Sequence, residues 1–190
     1  METIDIAGSI GLIAMVVLTI NIVLGIFIST AYKKTTFWQK LPPQIKALKL
    51  IEIHNYTAYI ALSLVLIHFI LIPLDPSSKF TFVHLIQPWN APHQAFFVGL
   101  GVISFTALLV VIITTQKIIK KKIGTTTWKK IHIISYGTGL LFMVHGLVMD
   151  PLLKDRPIDF LDPEKLLVEL CALLLLIAFI YRYQYKVKNK

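Results

Sequence analysis

Hydrophobic residues in this chain fall in long unbroken runs rather than in stripes. A helix needs roughly 20 apolar residues to cross a hydrocarbon core of about 30 Å. Five runs qualify, near Ile6–Thr30, Leu50–Ile72, Ala95–Thr115, Ile131–Met149 and Leu166–Tyr181. Pro42, Pro43, Pro73, Pro88, Pro92, Pro151 and Pro163 fall between them. A residue without a backbone donor breaks no helix there. The pattern predicts an all-α integral membrane bundle of five spans. The first run is too long for a signal-peptide core and has no basic segment before it, so it reads as a retained span. The piece from Pro73 to Gln94 is too small to fold alone. Residues 1–190 read as a single domain without repeats.

Composition agrees. The 190 residues are 56% hydrophobic and 15% charged, with a mean hydropathy of +0.73. Soluble domains carry about 25% charged residues. The single cysteine, Cys171, excludes a disulfide framework, a CxxC redox motif and a Cys-rich zinc or iron–sulfur site. In its apolar run it reads as a packing residue.

The net charge of +9 is a matter of position. Fifteen of the nineteen basic residues lie in the loops after the first and third runs and in the tail after the fifth. The other side holds only Lys79, Lys154, Arg156 and Lys165, with nine of the ten acids, Glu52 being the exception. Basic residues stay on the cytoplasmic side. The expectation is a multi-pass protein of the plasma membrane with its N-terminus outside and C-terminus cytoplasmic. The basic excess then serves topology and membrane lipid, and no nucleic acid.

Ionisable residues within spans are rare and mark function. His54 and His68 lie in the second run, and His132 and His145 in the fourth. Their separations of 14 and 13 residues correspond to rises of roughly 21 and 20 Å. The two spans run in the same direction. His54 therefore matches His132 in depth near the cytoplasm, and His68 matches His145 nearer the outside. Imidazole enters lipid neutral and binds iron well. Each pair can supply both axial ligands of a haem, giving an inner haem on His54 and His132 and an outer haem on His68 and His145, between spans two and four. Fourteen residues return to within roughly 40° of the starting face, but thirteen miss by about 140°. The second pair therefore calls for local tightening, a bend, or an out-of-phase His132 at the helix entry; Gly137 and Gly139 offer either a place for the bend or room for a porphyrin to approach the backbone.

Other chemistries have less support. Metal transport calls for acids or thiols near mid-membrane, and proton pumping for carboxylates there. Only Glu52 and Glu169 come near, both by span ends. No residue is expected to do acid–base or nucleophilic catalysis. A haem-free transporter or scaffold bundle, and a single-haem version, remain the competing readings. Lys129, Lys130 and Lys49 are candidates for inner haem carboxylates, and Arg156 and Lys154 for outer ones. Tyr56, Tyr59, Phe69, Phe105, Tyr136 and Phe142 are candidate porphyrin neighbours. Phe80 to Trp89 reads as a short interfacial helix. His84 and His93, and the acidic run Asp150, Asp155, Asp159, Asp162 and Glu164, are candidates for meeting an external iron or partner. Asn21, Gly25, Ser63 and Ser104 read as helix-packing groups.

The chain resembles the ferric reductase-like transmembrane domain, shared by NADPH oxidases, yeast ferric reductases and the haem subunit of the bacterial methionine sulfoxide reductase system. The resemblance rests on His54-x13-His68, His132-x12-His145, the lead-in Trp128-Lys129-Lys130-Ile131-His132 and the pair His145-Gly146, and spans about residues 10 to 182. It implies a conduit with two b-type haems. In the oxidases and yeast reductases a flavin domain follows the last span. Here the sequence ends at Lys190 and contains no GxGxxG, and five spans stand where many relatives have six. The expected donor is a separate cytoplasmic flavoprotein, with flavin as its cofactor, or a quinol. The expected acceptor is extracytoplasmic, such as ferric iron or a redox partner. The chain is then an oxidoreductase subunit. A quinol-linked di-haem cytochrome b subunit of a larger complex is the nearest alternative.

Overall fold

The computed structural model describes residues 3–149 and 160–189. Among these the chain is all-helical: α1 (Thr3–Ser29), α2 (Thr36–Gln39), α3 (Pro43–Lys46), α4 (Leu50–Leu71), α5 (Phe82–Ile86), α6 (Ala95–Thr115), α7 (Lys117–Ile123), α8 (Thr125–His132), α9 (Ile134–Val148) and α10 (Pro163–Lys188). Five stretches are long and apolar enough to span: Thr3–Ser29, Leu50–Leu74, Ala95–Thr115, Thr125–Val148 and Pro163–Lys188. The fourth is α8 and α9 in succession. The last helix runs past the expected Tyr181 to Lys188. Hydropathy marks the part that lipid covers, whereas the hydrogen-bond ladder continues until something interrupts it.

Local chemistry sets the helix ends. Asp162 accepts a hydrogen bond from the Glu164 amide at 3.1 Å, and Pro163 follows it in the first turn of α10. Thr35 caps α2 by accepting from the Trp38 amide at 3.2 Å. Gly124, at φ 80°, separates α7 from α8, a conformation that L side chains avoid. The interfacial helix expected over Phe80 to Trp89 is shorter, because Pro88 starts a separate 3-10 turn.

α1 is the hub, packing along α4, α9 and α10, while α6 packs along α9. Leu18, Ile22 and Ile26 of α1, Phe142 of α9 and Leu175 of α10 form the dry centre. Cys171 is buried there as a packing residue. Outward faces remain apolar, with Ile13, Ile20, Leu173 and Ile177 exposed, as lipid-facing helices require.

Two polar ties hold α1 at opposite ends. Arg182 donates to Ser29 Oγ at 2.7 Å and to the Tyr136 hydroxyl, and lies over the Tyr136 ring. At the other end Asp75 Oδ2 accepts from the Ile4 amide at 2.8 Å, and Oδ1 accepts from the Ser77 hydroxyl and amide at 2.6 and 2.9 Å. The Ser77 hydroxyl is the main reason that the Asp75 carboxyl lies below its ordinary 3.8. Asp75 therefore contributes stability that is complete above about pH 4 and lost as pH falls through its depressed value. Thermal melting in detergent should show wild type losing more stability than Asp75→Asn between pH 5 and pH 2 (roughly). Parallel pH profiles would remove this role.

Candidate functional site

The four span histidines form two pairs. His54 and His132 have ring centres 6.1 Å apart with planes at 71°. His68 and His145 have centres 6.4 Å apart with planes at 85°. The depth matching expected from the two spacings is therefore how the rings are arranged. α4 and α9 have almost no close backbone approach. Each packs along another helix instead, and a cavity opens beside His68 and His145.

The fourth span is interrupted between the two histidines, at Ile133. α8 stops at His132, α9 starts at Ile134, and a 3-10-type bond of 3.1 Å runs from the Tyr136 amide to the Ile133 carbonyl. Gly137 and Gly139 both lie inside α9. Gly139 serves packing: a Cβ there would stand 2.5 Å from Ile22 Cδ1. An interruption at an αR residue carries no Gly or Pro signature, so its place is not legible in the sequence.

Three of the rings are fixed by main-chain carbonyls. Nδ1 of His54 bonds the Asn21 carbonyl at 3.0 Å, His68 that of Ala7 at 2.7 Å, and His145 that of Phe97 at 2.9 Å. A carbonyl only accepts, so Nδ1 carries the proton in each ring and Nε2 keeps its lone pair. Asn21 also donates Nδ2 to the His54 carbonyl at 2.5 Å and to Thr57 Oγ1 at 2.9 Å, clamping α1 to α4. His132 differs. Its Nδ1 and the Trp128 Nε1 are buried without a hydrogen-bond partner among the described residues. The His132 ring lies 5.1 Å from that of Trp128, which carries the Lys120 ammonium 3.5 Å above it.

The geometry suits one type of occupant. With metal–imidazole bonds of about 2 Å, two rings on opposite sides of a metal have centres roughly 6 to 6.5 Å apart. Among the described residues no three His, Cys, Asp or Glu side chains gather to hold a bare ion, as a structural zinc site needs. Two imidazoles suffice where a macrocycle supplies the other ligands. Around His68 and His145 lies an apolar cavity with an open side, lined by Leu12, Val65, Phe69, Phe105 and Phe142 among others. Lys165 also lines it, donating to the Gly146 and Met149 carbonyls at 3.2 and 2.6 Å. Glu164 lines it beside Lys165, and the largely apolar cavity with two lone-pair imidazoles fits a flat, apolar group that brings its own metal.

The remaining candidates sort by position. Phe69, Phe105 and Phe142 line the cavity, whereas Tyr56 and Tyr59 are exposed. Tyr136 meets Arg182 instead. His84 Nδ1 accepts from the Thr81 amide at 3.0 Å, an ordinary capping role. His93 is half-buried. Lys49 pairs with Glu52 at 3.0 Å, and Lys129 and Lys130 are exposed. Lys154, Arg156, Asp150, Asp155 and Asp159 lie outside the described residues. Lys165 was legible only as a basic residue on the acidic side. Its place in the first turn of α10, before a long apolar run, is the signal for a buried lysine.

Comparison with known proteins gives a family match. Residues 10–143 match the family described as ferric reductase like transmembrane component. The matched stretch contains His54, His68 and His132 and stops short of His145. No curated protein and no solved structure matches the chain.

Proposed function

Because the chain belongs to the ferric reductase like transmembrane component family, and is thereby a multi-pass membrane electron-transfer component, we propose that it is a di-haem b-type cytochrome. His54 and His132 hold the inner haem iron, and His68 and His145 the outer one. The observation that carries this reading is the pair of ring separations, 6.1 and 6.4 Å, in two histidine pairs formed by the same two spans. The haems would supply one-electron chemistry by cycling iron between its ferric and ferrous states. The protein does the rest. The carbonyls of Asn21, Ala7 and Phe97 hold three imidazoles in the ligating tautomer. Phe69, Phe105 and Phe142 keep water from the outer slot. Lys165 brings a positive charge to its edge.

The direction follows from charge. Lys117, Lys120, Lys121 and Lys122 cluster on α7, with Lys120 over the Trp128 ring beside His132, and basic residues mark the cytoplasmic face. Electrons enter there from a separate cytoplasmic flavoprotein and leave outside, to ferric iron or a redox partner. A cytoplasm-active reporter fused after Lys190 is expected to be active, and one that works only outside silent. The reverse pattern overturns the orientation. In proteoliposomes, reduced flavoprotein is expected to reduce the haem bands. Reduction by quinol alone, with flavoprotein inert, would make the chain a quinol-linked cytochrome b subunit instead.

A further inference from the structure

The three carbonyl-bonded histidines share a feature that extends to the helices behind them. Each acceptor carbonyl belongs to a residue four positions before a glycine: Ala7 and Gly11, Asn21 and Gly25, Phe97 and Gly101. Residues four apart lie one above the other on a helix face. In each case the imidazole occupies the space that a side chain on that glycine would fill. A Cβ on Gly11 would stand 2.9 Å from His68 Nδ1, one on Gly25 3.2 Å from His54 Cε1, and one on Gly101 2.8 Å from His145 Nδ1. Alanine would thus push the ring off the carbonyl in two cases and press it in the third.

The arrangement is periodic. Gly11 and Gly25 are 14 residues apart on α1, as His68 and His54 are on α4, and the glycines meet the histidines in antiparallel order. One helix thereby serves both ligands of the next. On α6 only the outer site is served. Fourteen residues beyond Gly101 stands Thr115, whose hydroxyl bonds its own helix at the Ile112 carbonyl, 2.6 Å away. His132, the ligand of that depth, is the one whose Nδ1 has no partner among the described residues.

We propose that Gly11, Gly25 and Gly101 are positioning residues: each opens a socket in which a main-chain carbonyl orients and polarises one haem-ligating imidazole, leaving His132 as the only one of the four without such a socket. This rests on the di-haem reading above. A hydrogen bond from Nδ1–H makes the ligand more electron-donating and so favours ferric iron. Weakening it raises the potential of that centre. The outer centre has two such bonds and the inner centre one.

The test uses the full-length purified chain with its haems, comparing Gly101→Ala and Gly25→Ala with Gly137→Ala, whose added methyl meets nothing within 4 Å. Readouts are the low-spin ferric resonance signals and the redox titration of each centre, assigned by the spectra of His145→Ala and His54→Ala. Gly101→Ala is expected to shift the signal and raise the potential of the outer centre alone, and to weaken its haem retention roughly 10- to 100-fold. Gly25→Ala should do the same, less strongly, to the inner centre alone, and its milder 3.2 Å approach carries the test if Gly101→Ala does not accumulate. Gly137→Ala should match wild type. Two haems present, with Gly25→Ala and Gly101→Ala indistinguishable from Gly137→Ala, overturns the sockets while leaving the di-haem reading intact. A wild-type chain that holds no haem overturns both.

Discussion

Alanine at His68 or at His145 is expected to remove one low-spin haem from the purified protein and to leave the other. Each ring is one side of a pair whose centres are 6.4 Å apart, and no other His, Cys, Asp or Glu among the described residues joins the group. A metal that loses one of two protein ligands in an apolar slot has no substitute nearby. The inner pair lies 13 or 14 residues away along its helices, roughly 20 Å, and shares no hydrogen-bonded carbonyl with the outer pair. Its spectrum should therefore persist. His54→Ala and His132→Ala are expected to give the complementary loss. Haem content and reduced-minus-oxidised spectra of the four variants check this. Two haems with wild-type spectra in both His68→Ala and His145→Ala would refute the assignment of ligands.

Lys165→Met should have the next largest effect, on stability and on one potential together. Lys165 is 8% exposed, and its ammonium serves the Gly146 and Met149 carbonyls at the end of α9. A cation there also complements the helix dipole. Methionine fills similar space but leaves those carbonyls without this donor in apolar surroundings, at a cost of about 1–3 kcal/mol. The same ammonium borders the cavity shared by His68 and His145. A positive charge favours an added electron, and its field weakens with distance. The outer centre should become harder to reduce, with the inner centre unchanged. Detergent melting and a redox titration check both parts. Equal shifts at the two centres, or none, would show that the charge does not act locally.

Much of this arrangement can be read from the sequence. Runs of about 20 apolar residues declare spans because lipid demands them of any helix. The depth matching of His54 with His132, and of His68 with His145, follows from spacing and from the shared direction of two spans. What the sequence conceals depends on neighbours far along the chain. The break at Ile133 has no Gly or Pro to announce it. Gly25 reads as a packing residue until His54, on another helix, is seen against it. Gly11 and Gly101 likewise acquire meaning only from His68 and His145. The equal 14-residue intervals on α1 and α4 were the available signal. Lys165 shows the opposite failure: counted as an outer-face charge, it lies buried because its stem crosses to carbonyls that end another helix.

Haem quantitation on the purified full-length chain, by pyridine haemochrome with reduced-minus-oxidised spectra, tests the di-haem assignment most directly. Two b-type haems per chain, both six-coordinate and low-spin, are expected, with one remaining in His145→Ala. A colourless protein that gains no Soret band on adding haem, or a single haem unaffected by either His54→Ala or His145→Ala, would contradict it.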